Sequence, residues 1–276
     1  LLYWASAGKT LTAVVIWQLA TERRLSLDDP VQKWIHDVPN GAVITVRDLL
    51  AHTSGLFSAN EDLAARKDLR FRSPAEALAI ARRHGAMFCP GEYWRYSNTG
   101  YDLLGEIIRL VDGRPFDQAI TARLLERAGT TRMRALPAGR PARDVAPLAS
   151  TRERTIDPSW PGAAGPVAGD ANDMMRVWAA LLEGRLLPAA TVHELFTTLY
   201  PMFDTGTFYG SGVMVFDVPD ERSPRTWLGH AGGTPGASAV VAYAPAEQAY
   251  VAVALTGDGP ALAVANAFLK SLASQP

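Results

Sequence analysis

The 276-residue sequence has one cysteine, Cys89, so no disulfide can form within it. Cys89 lies between Phe88 and Pro90 and reads as a small buried apolar residue, because a reactive thiol would need a partner histidine. No run of 18 or more apolar residues occurs, so this chain encodes no membrane-spanning helix. An excess of one charge is also absent. The 27 Lys and Arg nearly balance the 28 Asp and Glu, for a net charge of -1. The arginines are scattered, with no basic run and no interleaved aromatics, which argues against a nucleic-acid partner. His36, His52, His84, His193 and His230 do not fall at metal-ligand spacing, and neither metal nor cofactor is expected. No Gly-x-Ser-x-Gly elbow is present, against an α/β-hydrolase. Gly8-Lys9-Thr10 lacks the upstream glycine of a phosphate-binding loop, since Tyr3 stands there.

Hydrophobic residues make up 48% of the chain and charged ones 20%, ample for a core in one large or two closely packed domains. Ala7 to Thr21 reads as a helix, apolar nearly all round, as a central buried helix would be. Asp28-Asp29-Pro30 reads as the start of a helical turn with proline in its first turn. Thr45 with Asp48, and Ser73 with Glu76, read as capping boxes. Leu103 to Val111, Phe116 to Arg127 and Asn172 to Leu182 read as further helices, and nothing from Ala5 to Leu199 alternates as a strand does. Strand patterns then cover Tyr209 to Asp217, Arg225 to Gly229, Ala237 to Tyr243 and Ala249 to Thr256, before a closing helix from Ala261 to Leu272. Helices followed by strands argue an α+β fold with an antiparallel sheet. Arg134 to Pro166, rich in Pro, Gly, Ala and Arg, reads as a long loop-like wall.

Chemistry concentrates in three places. In Ser6-Ala7-Gly8-Lys9, a serine and a lysine three residues apart share one helix face, with Cβ atoms about 5–6 Å apart. A hydroxyl at a helix start sits in a field that favours developing negative charge. A buried lysine has its pKa lowered toward the neutral form that can take a proton. The second place is Tyr96-Ser97-Asn98, within the segment from Pro90 to Tyr101. The third is His230-Ala231-Gly232, followed by Gly233-Thr234-Pro235-Gly236. Ser58-Ala59-Asn60 has a similar serine-x-asparagine spacing but lacks the Pro-Gly and aromatic setting of Tyr96, and reads as unrelated to the chemistry.

The order Ser-x-x-Lys, Tyr-x-Asn, His-x-Gly, with Thr45-Val46-Arg47-Asp48-Leu49-Leu50-Ala51-His52-Thr53-Ser54-Gly55-Leu56 between the first two, resembles the β-lactamase-like serine hydrolases. This is the branch holding class C β-lactamases, D-alanyl-D-alanine carboxypeptidases, D-aminopeptidases and β-lactamase-like esterases. The resemblance runs from Tyr3 to about Leu255. It implies a β-lactamase/transpeptidase-like α+β fold, an antiparallel sheet flanked by helices plus a helical domain. Residues 1–30 and 205–276 would form the sheet domain, and 31–204 the mainly helical one. It also implies a helix and two strands ahead of Tyr3, without which the sheet would expose an edge, and a periplasmic or secreted location.

The resemblance implies Ser6 as nucleophile, Lys9 as its base or as the charge that lowers the pKa of Tyr96, and Tyr96 as carrier of a proton to the leaving group. It gives the backbone N–H groups of Ser6 and Gly233 the oxyanion hole. Asn98, His230, Ala231 and Gly232 would bind substrate. Ala231 departs from the family, which commonly has a hydroxyl there to hold a substrate carboxylate, unless a wall arginine such as Arg134 or Arg143 supplies the charge. That leaves a small-molecule carboxylic ester, amide or peptide as substrate. D-Ala-D-Ala carboxypeptidase or β-lactamase activity is the alternative, and a non-catalytic ligand-binding homologue a second. Among the serines of the chain, Ser6 alone has a lysine three residues on. Ser6→Ala is therefore expected to abolish covalent labelling by a fluorophosphonate, read by intact mass; labelling that persists at another serine would refute the assignment.

Overall fold

The computed structural model describes residues 1–203, 206–218 and 225–273. Its centre is the helix α1 (Lys9–Thr21), preceded by one 3-10 turn over Ala5–Gly8, so the α-helix starts two residues later than the pattern suggested. Every residue from Lys9 to Leu19 is buried. Such a helix must bond its polar side chains to neighbouring layers. Thr10 Oγ1 donates to the Gly212 carbonyl at 2.8 Å, Thr12 Oγ1 to Ala163 at 2.8 Å and Gln18 Nε2 to Leu186 at 3.0 Å. Trp17 Nε1 donates to Ser211 Oγ at 2.8 Å.

On one side of α1 lies a six-stranded antiparallel meander: β4 (Tyr200–Pro201), β5 (Thr207–Tyr209), β6 (Met214–Val218), β7 (Arg225–Thr234), β8 (Ala237–Ala244) and β9 (Ala249–Thr256). The stretch expected as one strand from Tyr209 to Asp217 is two, β5 and β6, joined through a turn at Gly212 (φ 75°). Helix α10 (Ala261–Ala273) covers one face of this sheet, and β9 has no neighbour on its outer side among the described residues. The sheet starts at Tyr200; the expected boundary at 204 and 205 lies outside the described residues. A small second sheet, unmarked by any alternation, pairs β1 (Leu2–Tyr3) and β2 (Arg134–Ala135) on either side of β3 (Val167–Gly169). Strands of two or three residues are too short to carry a period.

The helical layer comprises α2 (Val46–Ala51), α3 (Leu63–Lys67), α4 (Pro74–His84), α5 (Asn98–Asp112), α6 (Phe116–Ile120), α7 (Glu126–Ala128), α8 (Ala171–Leu182) and α9 (Ala189–Glu194). Both capping boxes form, at Thr45/Asp48 and at Ser73/Glu76 with Pro74 opening the helix. Pro30 lies ahead of its turn, which is a 3-10 turn over Val31–Lys33; its extended ψ of 141° instead lets it bridge to Thr45. The helix expected from Phe116 to Arg127 is a composite, with a π turn over Thr121–Leu125 between α6 and α7. Cys89 is exposed, contrary to the buried reading, because its carbonyl opens the surface turn that closes on Glu92.

Asp173, 1% exposed, anchors the chain entering β2. Its Oδ2 accepts the backbone N–H groups of Thr131, Arg132 and Met133 at 2.8, 2.5 and 2.9 Å. Burial raises its pKa, but these three donors and Arg176 outweigh that, and the net shift is downward. A carboxyl depressed on folding stabilises fully above its unfolded value of about 3.9 and loses that contribution as pH falls through the lower native value. Asp173→Ala is expected to cost about 2 kcal/mol by urea unfolding at pH 7, since it removes a charged acceptor of three N–H groups, of which that of Met133 is buried. The gap between variant and parent should narrow below about pH 4.

Candidate active site

Ser6 sits in the 3-10 turn at the head of α1. The residue before it, Ala5, is buried with φ 45°, a left-handed conformation that costs a non-glycine residue about 1–3 kcal/mol. Lys9 is fully buried, and its Nζ lies 3.0 Å from Ser6 Oγ, 2.7 Å from Asn98 Oδ1 and 2.7 Å from the Ala164 carbonyl. The last two are pure acceptors and take two N–H bonds. The third direction meets a hydroxyl, to which Nζ can donate when charged or from which it can accept when neutral. Burial lowers the Lys9 pKa to about 7, with Asp102 pulling the other way.

The Tyr96 phenol lies close enough to the Ser6 side chain to feel it, and Lys9 Nζ stands 4.9 Å from the centre of its ring. Burial drives the Tyr96 pKa well above its usual value, with only Ser6 opposing. The expectation that Lys9 lowers it therefore fails: loss of hydration at the phenol outweighs the nearby amine, and Tyr96 stays protonated. Helix α5 begins at Asn98, and Ser97 caps it by accepting the Gly100 N–H at 3.3 Å. Asn98 is thus set on the first turn by its own helix, with Nδ2 donating to Asn60 Oδ1 at 3.0 Å. Ser58 Oγ accepts the Asn98 N–H at 2.9 Å and donates to Asn60 Oδ1 at 2.6 Å. The Ser58-Ala59-Asn60 segment, set aside on its sequence, braces the site.

His52 ends α2 in a left-handed conformation, φ 63°, and its Nδ1 accepts the Ser97 N–H at 3.2 Å. Its ring packs on that of Tyr96 at 4.1 Å and on that of Tyr209 at 4.5 Å. Tyr209 in turn shares a hydrogen bond with His230 Nε2 at 3.1 Å. His230 is fully buried, with its pKa lowered to about 3 by burial and then by Lys9, so it is neutral. This corrects its expected place on the substrate: it lies under the site, packed against aromatic rings. Ala231 is also misplaced by the sequence reading. Strand alternation turns its methyl toward the clusters beneath α10.

Strand β7 pairs with β6 only up to Gly229, so from His230 to Thr234 no strand pairs with that edge of β7 among the described residues, although the Ala231 N–H on it donates to Met214 Sδ at 3.3 Å. The Ser6 turn packs against β7 at Gly232. A Cβ built on Gly232 would lie 2.7 Å from the backbone nitrogens of Ser6 and Ala7 and 2.7 Å from the Trp4 carbonyl. Gly233, by contrast, opens on empty space. A cleft of about 830 Å³ runs between this edge, α5 and the wall, lined by Ser6, Asn60, Asn98, Trp160, Gly233 and Thr234 among others. Asp102, Trp160 and Thr234 carried no motif signal, because only tertiary contact brings them to Ser6. Arg134 pairs with Asp144 away from the cleft; the wall arginine that does line it is Arg154.

The four sequence motifs thus meet around one hydroxyl on a sheet-and-helix scaffold. The family model described as Beta-lactamase matches residues 1–275. The chain belongs to the β-lactamase family. Among solved structures, a D-stereospecific amidohydrolase from Streptomyces sp. is 33% identical with a TM-score of 0.81, over 93% of this chain and 82% of that one. A penicillin-binding protein from Bacillus halodurans is 25% identical with a TM-score of 0.83, over 98% of this chain and 85% of that one. Among curated sequences, PbpX of Bacillus subtilis (strain 168), named as a penicillin-binding protein, is 28% identical over 77% of this chain. The chain spans 53% of the length of that relative. For this β-lactamase-family cleft, Gly232→Ala is expected to push β7 off the Ser6 turn and cut ester turnover about 100-fold, the scale of an ångström-level misplacement. Gly233→Ala should cost far less, because its methyl enters open space; equal losses would refute the close-approach account.

Proposed function

We propose that this protein is a serine hydrolase that forms an acyl-enzyme on Ser6 and acts on a carboxylic ester or a small amide. The observation that carries the reading is the buried Lys9 amine, held by two acceptors with its remaining direction on the Ser6 hydroxyl. Neutral Lys9 takes the proton as Ser6 Oγ attacks the substrate carbonyl. The backbone N–H groups of Ser6 and Gly233 face the developing oxyanion; each such donor contributes about 10²–10³ in rate. Protonated Tyr96, beside Ser6, passes a proton to the leaving group as the carbonyl re-forms. Water then attacks the acyl-enzyme by the same steps in reverse.

The 33% identity to a D-stereospecific amidohydrolase favours an amide or ester whose acyl group has the D configuration. A second reading, carboxypeptidase or β-lactamase action, draws on Arg154 in the cleft wall, which could meet a substrate carboxylate. The experiment is the pH dependence of kcat/KM on p-nitrophenyl acetate, with a penicillin assayed on the same preparation. A base with a pKa near 7 is protonated and idle below that pH, so kcat/KM should rise through about pH 7 and then level. Tyr96→Phe should lower the plateau while leaving the limb in place. A flat profile from pH 5 to 8 would remove Lys9 as base, and penicillin turnover without esterase activity would favour the second reading.

A further inference from the structure

The mechanism uses Ser6, Lys9, Tyr96 and Asn98 and gives no task to Asp102, an acid that lines the same cleft. Asp102 lies on α5 four residues after Asn98, on the same helix face and about one turn along. It lines the cleft together with Ser6 and Asn98. Its side chain is half-buried, and among the described residues it makes no hydrogen bond and no ion pair. Of the other acids that line the cleft, Glu61 is paired with Arg95 at 2.6 Å and Glu153 is exposed to water. A carboxylate withdrawn from water without a partner is costly. Burial raises the Asp102 pKa to about 8, with Lys9 offsetting part of the rise. Opposite Asp102 the wall is pared down: a Cβ at Gly162 would lie 3.8 Å from Oδ1, so this stretch of wall carries no side chain.

We propose that Asp102 is a specificity residue that receives a primary ammonium of the substrate, placed within a few bonds of the scissile carbonyl. The substrates are then aminoacyl amides or esters with a free amino group. The inference rests on the hydrolase reading above and names the substrate class of that site. An ammonium brings three donors to a carboxyl group that has no hydrogen-bond partner among the described residues, and adds a positive charge to that of Lys9. Bulk on the amine, or loss of its charge by acylation, removes both.

The experiment compares D-alanine p-nitroanilide with its N-acetyl counterpart on the parent chain and on Asp102→Asn. The readout is the ratio of the two kcat/KM values, because both substrates use the same Ser6 and Lys9, and any effect of Asp102 on Lys9 cancels in the ratio. The parent should prefer the free amine by about 10- to 100-fold, the scale of one charge-assisted hydrogen bond, and Asp102→Asn should bring the ratio close to one. A parent ratio near one, or a ratio that Asp102→Asn leaves in place while both rates fall together, would overturn the proposal and leave Asp102 acting through Lys9 alone. A binding arm uses calorimetry of D-alaninamide and N-acetyl-D-alaninamide on Ser6→Ala and on Ser6→Ala/Asp102→Asn. It reads the subsite without turnover, so loss of hydrolysis with amine selectivity intact would count against the hydrolase reading and for Asp102. Equal affinity for the two amides would count against Asp102 whatever the chain hydrolyses.

Discussion

A lysine side chain with no exposed surface is the constraint on which the rest of this structure depends. An isolated buried ammonium is strongly disfavoured, so Lys9 must either be bonded on every side or lose its proton. The fold supplies both answers at once. Asn98 from α5 and the Ala164 carbonyl from the wall hold two of its hydrogens, and Ser6 takes the third direction. Those three partners come from three separate parts of the chain, so satisfying Lys9 fixes the distances among them. The same burial that threatens stability moves the pKa to about 7, where the amine can serve as a base at neutral pH.

The aromatic and histidine cluster behind the site does a different job. His52, Tyr96, Tyr101, Tyr209 and His230 pack ring against ring, and Tyr101 and Tyr209 share a hydrogen bond at 3.2 Å. Tyr101 also donates to the Leu50 carbonyl at 3.0 Å, tying α2 to α5. The cluster therefore joins the helical layer to β5 and β7, and it holds Tyr96 on Ser6 from behind. Both histidines are neutral, since burial and the Lys9 charge act in the same direction on them. That keeps two potential cations from competing with Lys9. His230 contributes to the site as a buried support, and the residues of β7 that line the cleft are Gly233 and Thr234 beyond it.

Much of the fold was legible because its signals are local. Capping boxes at Thr45 and Ser73 involve residues three apart, and they form as read. The strands β8 and β9 are unbroken eight-residue runs rich in alanine, valine and tyrosine, long enough to read as strands between their turn signals. Where the reading slipped, the deciding interaction was distant. Leu2–Tyr3, Arg134–Ala135 and Val167–Gly169 are strands because they find one another across long stretches of chain, Leu2 pairing with Gly169 and Arg134 with Ala168. Cys89 is exposed because a turn carries it to the surface, whatever its own preference.

The sequence by itself determined the family and the order of its motifs. Ser6 and Lys9 lie three apart on one helix, and that spacing alone puts their side chains on one face. Tertiary structure decided what surrounds them. It buried Lys9, turned His230 and Ala231 away from the cleft, and made a brace of Ser58 and Asn60. It also left Asp102 lining the cleft with no hydrogen-bond partner among the described residues, and it ended the pairing of β7 with β6 at Gly229, just before the stretch that packs on the Ser6 turn. Each of these rests on desolvation or close approach between segments far apart in the chain. Spacing within a segment carries no information about either.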